Sequence, residues 1–586
     1  MTAPNRNTLW GRTILSELAV AGIEQVCIAP GSRSTPLTEA AFATDDITVY
    51  THLDERSMAY FALGQARRTG EPTPIICTSG TAAANFHPAV IEANQARVPM
   101  VVLTADRPPE LRNSGANQTI DQQKLYGDAV RLFQQLPKPA SSPRMLRSLR
   151  TTVTQAISAA LNPPSGPVHL NVPFEKPLEP TDIPEDIPDT LQEQAPEAVQ
   201  GRKDSFVNLT TAATVPKSVD QLVSKIEDSS RPLIVAGPAD PRSEAGKEVV
   251  ELAATIDAPI FADPLSNLRF SSYNNRNDIL ICSGYDAYIS TDQINTIPTP
   301  DLVLRIGASP TSKSLRKYLA AIDTQQILVD PAGQWREAEF TATDLVTGSA
   351  GETIKRITAS VTPASDNELT TWLRQAEQTH WQLINGIDVE LEGSAIKAVL
   401  DTLPEKATLV VSNSMPVRDL DRFGQAKADE ITAIGNRGAS GIDGITSTAF
   451  GAASATSDPT VLVIGDLAFY HDMNGLLAAG RHDIDLTIVL INNDGGGIFH
   501  KLPIESFDPP FTEGFKTPHQ LNFRSAGDLY GIQYQYVNTV SELAKACKHS
   551  INTSGTDIIE IQFNSEISHR NREQLQQQLQ SKLSQR

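Results

Sequence analysis

Short runs of aliphatic and β-branched residues alternate along the chain with stretches whose apolar residues recur at helical spacing. This alternation predicts strands that are each followed by a helix, as in parallel α/β sheets. Several runs end in Gly, Pro, Ser or Asn just before the helical stretch. A mixed α+β arrangement is the alternative fold class. Predicted strands lie at 26–28, 75–77, 101–103, 168–172, 233–235, 302–304, 327–329, 409–411, 461–464, 488–491 and 558–561.

Two changes in composition divide the chain. Residues 173–203 are rich in Pro and acidic residues, which predicts an extended surface linker at 181–204. A weaker break lies near Pro363. The sequence therefore predicts three α/β units, at 1–180, 205–360 and 370–586, the last ending in a polar helical tail.

The charge balance limits the ligands that the protein can bind. The 586 residues include 49 Lys and Arg against 69 Asp and Glu, a formal net charge of -20. This excess of acid excludes a general nucleic-acid binder and argues against binding to anionic membrane surfaces. A protein of this charge that binds anionic substrates must gather its Arg and Lys residues locally.

The cysteines and the apolar runs indicate where the protein resides. The four cysteines are scattered and form no CxxC pair, which argues against a zinc cluster and fits a reducing compartment. No apolar run approaches the roughly 20 residues of a membrane span, and the first residues lack a signal peptide's continuous apolar core. We therefore expect a cytoplasmic protein.

The strongest chemical motif lies in the third unit, between Val461 and Phe499. One predicted strand ends at Gly465–Asp466 and the next ends before Asn493, so both side chains should lie at one edge of the sheet. A carboxylate and an amide oxygen suit Mg²⁺. The glycines at 495–497 let the backbone approach a ligand and offer a carbonyl to the metal. The alternative is a Gly-rich turn of an ordinary Rossmann-like sheet.

This motif resembles the diphosphate-binding motif of thiamine diphosphate-dependent enzymes, in which GDG is followed by about 25 residues and NN. Here residues 468–491, 24 in number, separate Leu467 from Asn492, and Leu467 replaces the second glycine. The resemblance implies three doubly wound parallel-sheet domains. The first would bind the pyrimidine ring of the cofactor, the second is a middle domain, and the third would bind the diphosphate.

The first unit matches the same family. Glu55 precedes a helix of small residues, and the resemblance implies that it contacts N1′ of the cofactor's aminopyrimidine. Taken alone, Glu55 is equally a solvated carboxylate that the helix dipole favours.

Six further segments match one branch of the family, namely 29–37, 104–112, 115–122, 412–421, 435–444 and 492–504. This closer resemblance implies decarboxylation of 2-oxoglutarate and conjugate addition of the succinyl-semialdehyde carbanion to isochorismate, a carbon–carbon bond-forming transferase reaction of quinone biosynthesis. It does not distinguish menaquinone from phylloquinone as the end product.

The resemblance also implies roles for individual residues. The candidate catalytic residues are Glu55, Gln118, Ser32 and Arg33. The candidate substrate-binding residues are Arg107, Lys313, Ser414, Arg418 and Arg437. The candidate cofactor-binding residues are Glu55, Gly465, Asp466, Asn493, Gly495, Ile498 and Phe499, of which Asp466, Asn493 and Gly495 would bind Mg²⁺, with Mn²⁺ as a substitute.

Each assignment has an alternative in the sequence. The arginines could instead be partners in surface ion pairs, and the serines could be turn or cap residues. Ile498 and Phe499 could instead be ordinary core residues. Relatives of this branch often carry a second basic residue after Lys313, where this chain has Ser314.

The resemblance implies a homodimer whose two active sites each contain residues of both chains, with a homotetramer also possible. Two other functions stay open. One is another thiamine diphosphate enzyme, such as a 2-oxoacid decarboxylase or an acetolactate-synthase-like protein. The other is a catalytically silent nucleotide-binding protein, although the chain contains neither GxGxxG nor GxxxxGK[ST].

Overall fold

The structure is a computed structural model that describes residues 3–208, 219–289, 297–365, 367–387, 389 and 391–585. In these residues three parallel sheets of six strands follow one another along the chain, with helices packed against them. The predicted α/β class is therefore confirmed. Within the described ranges no helix is long and apolar enough to cross a membrane.

The first sheet has the strand order β2-β1-β3-β4-β6-β5. Its two longest strands, β4 and β6, are buried along their whole length, although β6 includes the polar residues His169 and Asn171. The strands are β1 (Gln25–Ile28), β2 (Thr48–Thr51), β3 (Thr73–Cys77), β4 (Met100–Asp106), β5 (Phe133–Gln135) and β6 (Pro167–Pro173). The helices are α1 (Arg6–Val20), α2 (Thr35–Phe42), α3 (Glu55–Thr69), α4 (Thr81–Asn85), α5 (His87–Gln95) and α6 (Pro143–Leu161).

The segment predicted as a linker carries two short helices, α7 (Leu191–Gln194) and α8 (Pro196–Gln200). Leu191 and Ala198 are buried in the core of the first sheet's domain. The Pro-rich segment therefore packs onto that domain through apolar side chains that include these two, Leu178 and Ala195.

The second sheet has the strand order β12-β11-β10-β7-β8-β9. Its strands are β7 (Pro232–Ala236), β8 (Ile260–Ala262), β9 (Ile281–Cys282), β10 (Leu302–Ile306), β11 (Gln325–Val329) and β12 (Asp344–Val346). The helices of this part of the chain are α9 (Val219–Glu227), α10 (Gly246–Thr255), α11 (Tyr285–Tyr288), α12 (Lys313–Ala321), α13 (Ala350–Thr358) and α14 (Glu368–Asn385).

The third sheet has the strand order β14-β13-β15-β16-β18-β17. Its strands are β13 (Lys406–Val411), β14 (Glu430–Ile434), β15 (Thr460–Gly465), β16 (Leu486–Asn492), β17 (Gln533–Val537) and β18 (Thr556–Gln562). Its helices are α15 (Glu392–Thr402), α16 (Met415–Phe423), α17 (Ile445–Ser454), α18 (Asp466–His471), α19 (Leu477–His482), α20 (Arg524–Tyr530), α21 (Val540–Ile551) and α22 (Ser565–Ser584). Helix α22 is the predicted polar tail.

The first and third domains pack against each other through α3 and α17. The two helices approach so closely that a Cβ atom on Gly64 would lie 2.0 Å from the carbonyl oxygen of Thr448. A Cβ atom on Gly451 would lie 1.8 Å from the carbonyl oxygen of Phe61. One hydrophobic core contains residues of both domains, including Phe61 and Phe450. The two domains that carry the predicted cofactor site are thus joined within one chain.

Candidate active site

Asp466 and Asn493 lie side by side at the carboxyl ends of the neighbouring strands β15 and β16. The Asp466 carboxylate is buried and accepts hydrogen bonds from the backbone N–H groups of Asn493 (3.1 Å) and Gly495 (2.9 Å). Burial raises the pKa of Asp466, although the N–H groups of Gly495 and Leu467 and the His519 side chain oppose the shift. The parallel sheet therefore brings together two residues that are far apart in sequence.

The donor atoms around Asp466 fit a hard divalent cation. The side-chain Oδ1 of Asn493 is buried and has no hydrogen-bond partner among the described residues, which is costly unless a ligand binds it. Gly495 adopts φ +128°, and a Cβ atom there would lie 2.0 Å from the carbonyl oxygen of Lys516. In the described residues no three His, Cys, Asp or Glu side chains form a metal cluster. The candidate set is instead one carboxylate, one amide oxygen and one backbone carbonyl, which suits Mg²⁺.

A cleft of about 330 Å³ contains all the site residues that the sequence predicts in the third domain. These nine residues are Ser414, Arg418, Arg437, Gly465, Asp466, Asn493, Gly495, Ile498 and Phe499. The cleft is large enough to hold part of a small-molecule ligand.

Two arginines give the cleft a positive region. Arg418 donates to the backbone oxygen of Ser414 (2.5 Å), and Arg437 donates to the side-chain oxygen of Asn413 (2.8 Å). Burial lowers the pKa of both guanidinium groups, and the charge of Arg316 in α12 lowers both further. Cations that are buried near one another favour a bound anion.

The site residues predicted in the first domain form a second group, which follows the carboxyl ends of β1, β2 and β4. Arg33 is buried and donates to the carbonyl oxygen of Phe174 (2.8 Å). In the part of the chain that the structure describes, the buried Nε atoms of Arg33 and Arg107 have no hydrogen-bond partner. Burial lowers the pKa of Arg33, and Arg107 lowers it further, so the two charges lie near each other. Ser32 begins the turn that carries Arg33.

Glu55 and Gln118 belong to this second group. Glu55 is the first residue of α3, and its carboxylate accepts a hydrogen bond from Asn85 (3.3 Å). Gln118 has φ +54° and donates to the carbonyl oxygen of Ser79 (3.0 Å). No residue of the second group is among the described residues that line the cleft. One chain therefore holds the predicted residues in two separate groups.

Lys313 is not among the described residues that line the cleft. It is exposed at the start of α12, behind Ser312, whose hydroxyl donates to Asp286 (2.6 Å). One turn further along the helix, Arg316 is the residue whose charge reaches Arg418 and Arg437. The sequence analysis missed Arg316, although its spacing of three residues from Lys313 on a helix could have indicated it.

Two further residues of the site were missed. His519 contacts the Asp466 carboxylate through Nε2 at 3.2 Å. Glu392 lines the cleft and accepts a hydrogen bond from the Asn493 amide at 2.8 Å. Neither lies at a motif spacing from its partner, so the sequence offered no signal for either contact.

The fold and this two-part site define the class of protein. Residues 10–125 match the family described as thiamine pyrophosphate enzyme, N-terminal TPP binding domain, and residues 431–561 match its C-terminal TPP binding domain. The chain therefore has thiamine diphosphate-binding domains in both its first and its third part, as the sequence analysis expects.

Similarity over the whole chain narrows the class. The chain is 52% identical to a 2-succinyl-5-enolpyruvyl-6-hydroxy-3-cyclohexene-1-carboxylate synthase of Haloarcula marismortui, with 99% of each chain covered. A Halobacterium salinarum synthase of the same name is 51% identical (98% of each chain), and one of a Roseiflexus species is 41% identical (95% of each). The chain belongs to this synthase family, and the branch indicated by the sequence motifs is confirmed.

Solved structures agree with the fold. Benzoylformate decarboxylase from Polynucleobacter necessarius superposes with a TM-score of 0.71 at 17% identity, covering 97% of this chain and 99% of that one. A putative thiamin diphosphate-dependent enzyme from Mycobacterium smegmatis gives 0.69 at 18% identity, covering 94% and 99%. At these identities the likeness supports the three-domain fold alone.

Proposed function

We propose that this protein joins 2-oxoglutarate to isochorismate with loss of CO₂, giving 2-succinyl-5-enolpyruvyl-6-hydroxy-3-cyclohexene-1-carboxylate. One observation carries the proposal. A single cleft contains both the candidate metal ligands Asp466 and Asn493 and the buried cations Arg418 and Arg437. Both substrates are dicarboxylates, so a protein of net charge -20 must concentrate cations where they bind. The relatives that match over their full length carry the name of this reaction.

The cofactor would bind in the cleft through its diphosphate. Asp466, the free Oδ1 of Asn493 and the carbonyl of Gly495 would hold Mg²⁺, or Mn²⁺ in its place, against the diphosphate oxygens. Ile498 and Phe499 would pack against the cofactor's rings from the same loop. When bound, thiamine diphosphate supplies the nucleophilic carbon that attacks the keto group of 2-oxoglutarate and stores the electrons that decarboxylation leaves.

The chain's own residues would handle protons and charge. Glu55 would hold a proton at N1′ of the aminopyrimidine, while Gln118 and Ser32 would donate hydrogen bonds to the reacting substrate. Planar guanidinium groups bind carboxylates in a bidentate manner. We assign that role to Arg33, Arg107, Arg418 and Arg437, with Lys313 as a more distant cation.

The separation of the two groups of residues supports a site shared between subunits. Glu55 and its neighbours lie outside the cleft of their own chain, so a second copy would supply them. Large apolar side chains near Glu55 are exposed, namely Leu53 (63%), Tyr470 (54%) and Leu477 (37%). Contacts between Asp54 and Asn474 hold this face together. We therefore propose a homodimer with two active sites, each built from both chains.

An assay with competing 2-oxoacids tests the proposed reaction. The protein, with thiamine diphosphate and Mg²⁺, is given 2-oxoglutarate or pyruvate, each with and without isochorismate, and CO₂ and products are followed by mass spectrometry. We expect a product whose mass equals the two substrates minus CO₂ only with 2-oxoglutarate and isochorismate together. Preferred turnover of pyruvate would instead indicate another thiamine diphosphate enzyme.

A further inference from the structure

The amide of Asn493 is held from one side only. Its Nδ2 donates to Oε1 of Glu392 at 2.8 Å, while its Oδ1 is buried without a partner among the described residues. An amide can be placed in two ways that differ by a half-turn. The other placement would set the amide oxygen against the Glu392 carboxylate, where neither group has a hydrogen to donate. Glu392 therefore decides that the oxygen, and not the NH₂ group, stays free.

Glu392 itself is held in place. It is 2% exposed, and its Oε2 accepts from Arg572 of α22 at 2.5 Å. Arg572 also donates to both carboxylate oxygens of Asp419 in α16, at 3.0 and 2.6 Å. Ser568 accepts the backbone N–H of Glu392 at 3.0 Å. Three helices thus hold one carboxylate in place behind the Asn493 amide.

Arg572 binds two carboxylates at once. Its guanidinium is shared by Glu392 and Asp419. Burial alone would lower the pKa of Arg572, but the two carboxylates outweigh it and raise that pKa. The charged guanidinium therefore fixes the Glu392 carboxylate behind the Asn493 amide.

We propose that Glu392 is a positioning residue, which orients the Asn493 amide so that its oxygen faces the divalent cation that anchors the cofactor. This inference rests on the metal site of the proposed function and adds a residue to it. Glu392 does not touch the cation; it acts through Asn493. Arg572 serves the same purpose one step further back, because it binds the Glu392 carboxylate and holds it in place.

The variant Glu392→Gln tests the orientation directly, because it keeps the size of the side chain. Its amide oxygen would stay with Arg572, which can only donate. Its NH₂ group would then face Asn493, and the Asn493 amide would turn to present its oxygen to that donor. The NH₂ group of Asn493 would then face the cation in place of the amide oxygen. We expect Mn²⁺ affinity to fall about 10-fold or more, in line with the loss of one charged contact.

A second variant separates orientation from general damage. In Glu392→Gln with Asn493→Asp, both oxygens of residue 493 accept, so one can bind the Gln NH₂ group and the other the cation. We expect this double variant to regain most of the lost Mn²⁺ affinity. Two single variants serve as controls. Asn493→Asp places two carboxylates next to each other, which shows the effect of the second substitution alone. Asp419→Asn changes the surroundings of Arg572 without changing Asn493, and thermal unfolding of each variant checks that it is folded.

The readout is electron paramagnetic resonance of free Mn²⁺, titrated into each full-length protein at a fixed concentration of thiamine diphosphate. Weak binding by Glu392→Gln, restored in the double variant, would support the proposal. Wild-type affinity in Glu392→Gln would overturn it, and so would a double variant that stays as weak as the single one. If wild-type protein binds no Mn²⁺ with thiamine diphosphate, the proposed metal site fails as well.

Discussion

Glu55 is the first residue of α3, so its carboxylate lies at the positive end of the helix dipole. The carboxylate also accepts a hydrogen bond from the side chain of Asn85. The proposed task of this carboxylate is to share a proton with a ring nitrogen, and a neutral amide of the same shape performs that task poorly. The side chain touches no part of the cleft that would hold the diphosphate. Its loss should therefore affect the chemistry more than the binding of the cofactor.

For Glu55→Gln we expect exchange of the cofactor's C2 proton to slow by about 100-fold or more, the usual size of an acid–base contribution. Cofactor affinity should change much less. Nuclear magnetic resonance of hydrogen–deuterium exchange at C2 measures the rate. Glu368→Gln is the matched control, because Glu368 is also the first residue of a helix. Wild-type exchange in Glu55→Gln would contradict the assignment.

The four proposed substrate arginines give a second prediction. Replacing Arg33, Arg107, Arg418 or Arg437 by Ala should raise the KM of a substrate about 10-fold or more, because a hydrogen bond to a charged group contributes roughly 1.5–3 kcal/mol. Thiamine diphosphate binding should hardly change. Arg276→Ala, which removes an exposed ion pair with Asp278, is the control. Four variants with wild-type kinetics for both substrates would contradict the proposed substrates.

The sequence predicts the contacts between site residues that follow neighbouring strands. It does not predict the contacts that residues of distant helices make with them. Asp466 and Asn493 each follow a recognisable strand, so the parallel sheet itself brings them together. Glu392 reaches Asn493 from the start of α15, 101 positions away, and Arg572 reaches Glu392 from the last helix. Such contacts depend on helix packing, which periodicity along one segment does not encode.

At the scale of elements, the same limit appears in the strands. All the predicted strands are present, from 26–28 to 558–561. They lie inside their sheets, and most of their residues are therefore apolar. The missed strands are β2, β5, β8, β9, β12, β14 and β17, and all of these except β8 are edge strands. An edge strand such as β17, whose residues are mostly exposed, has little reason to be apolar. The three-residue β8 is simply short.

The close approach of α3 and α17 predicts a stability effect. Gly64→Ala would place a methyl group 2.0 Å from a backbone oxygen of α17, so the helices must move apart. We expect the free energy of unfolding to fall by about 1–3 kcal/mol, seen as a lower midpoint of thermal unfolding. Gly480→Ala is the control, since Gly480 lies in α19 with nothing within 4 Å of the added Cβ. If both variants unfold at the same temperature, the helices do not pack this closely.

At the scale of the whole molecule, the proposed shared site predicts complementation. Glu55→Ala and Asp466→Ala should each be nearly inactive alone. In a mixed dimer one site collects both changes and the other collects neither. Half the dimers are mixed after random exchange, so about a quarter of all sites should be intact. Co-expression of the two variants should therefore restore about a quarter of wild-type activity.

A site built within one chain would give a different result, because every site would keep one of the two changes. Mass spectrometry of the intact assembly can confirm that mixed dimers are present. Absence of activity in a sample that contains them would rule out the shared site, while leaving the cofactor assignment intact.

Cofactor binding at the Asp466–Asn493 cleft is the claim on which the rest of the account depends, and calorimetry tests it most directly. Thiamine diphosphate titrated into the wild-type protein with Mg²⁺ should release heat with one site per chain. Asp466→Ala should abolish that binding, because the diphosphate loses its cation, whereas Asp528→Ala, an exposed change in the same domain, should not. Unchanged affinity in Asp466→Ala, or no binding to the wild-type protein, would contradict the account.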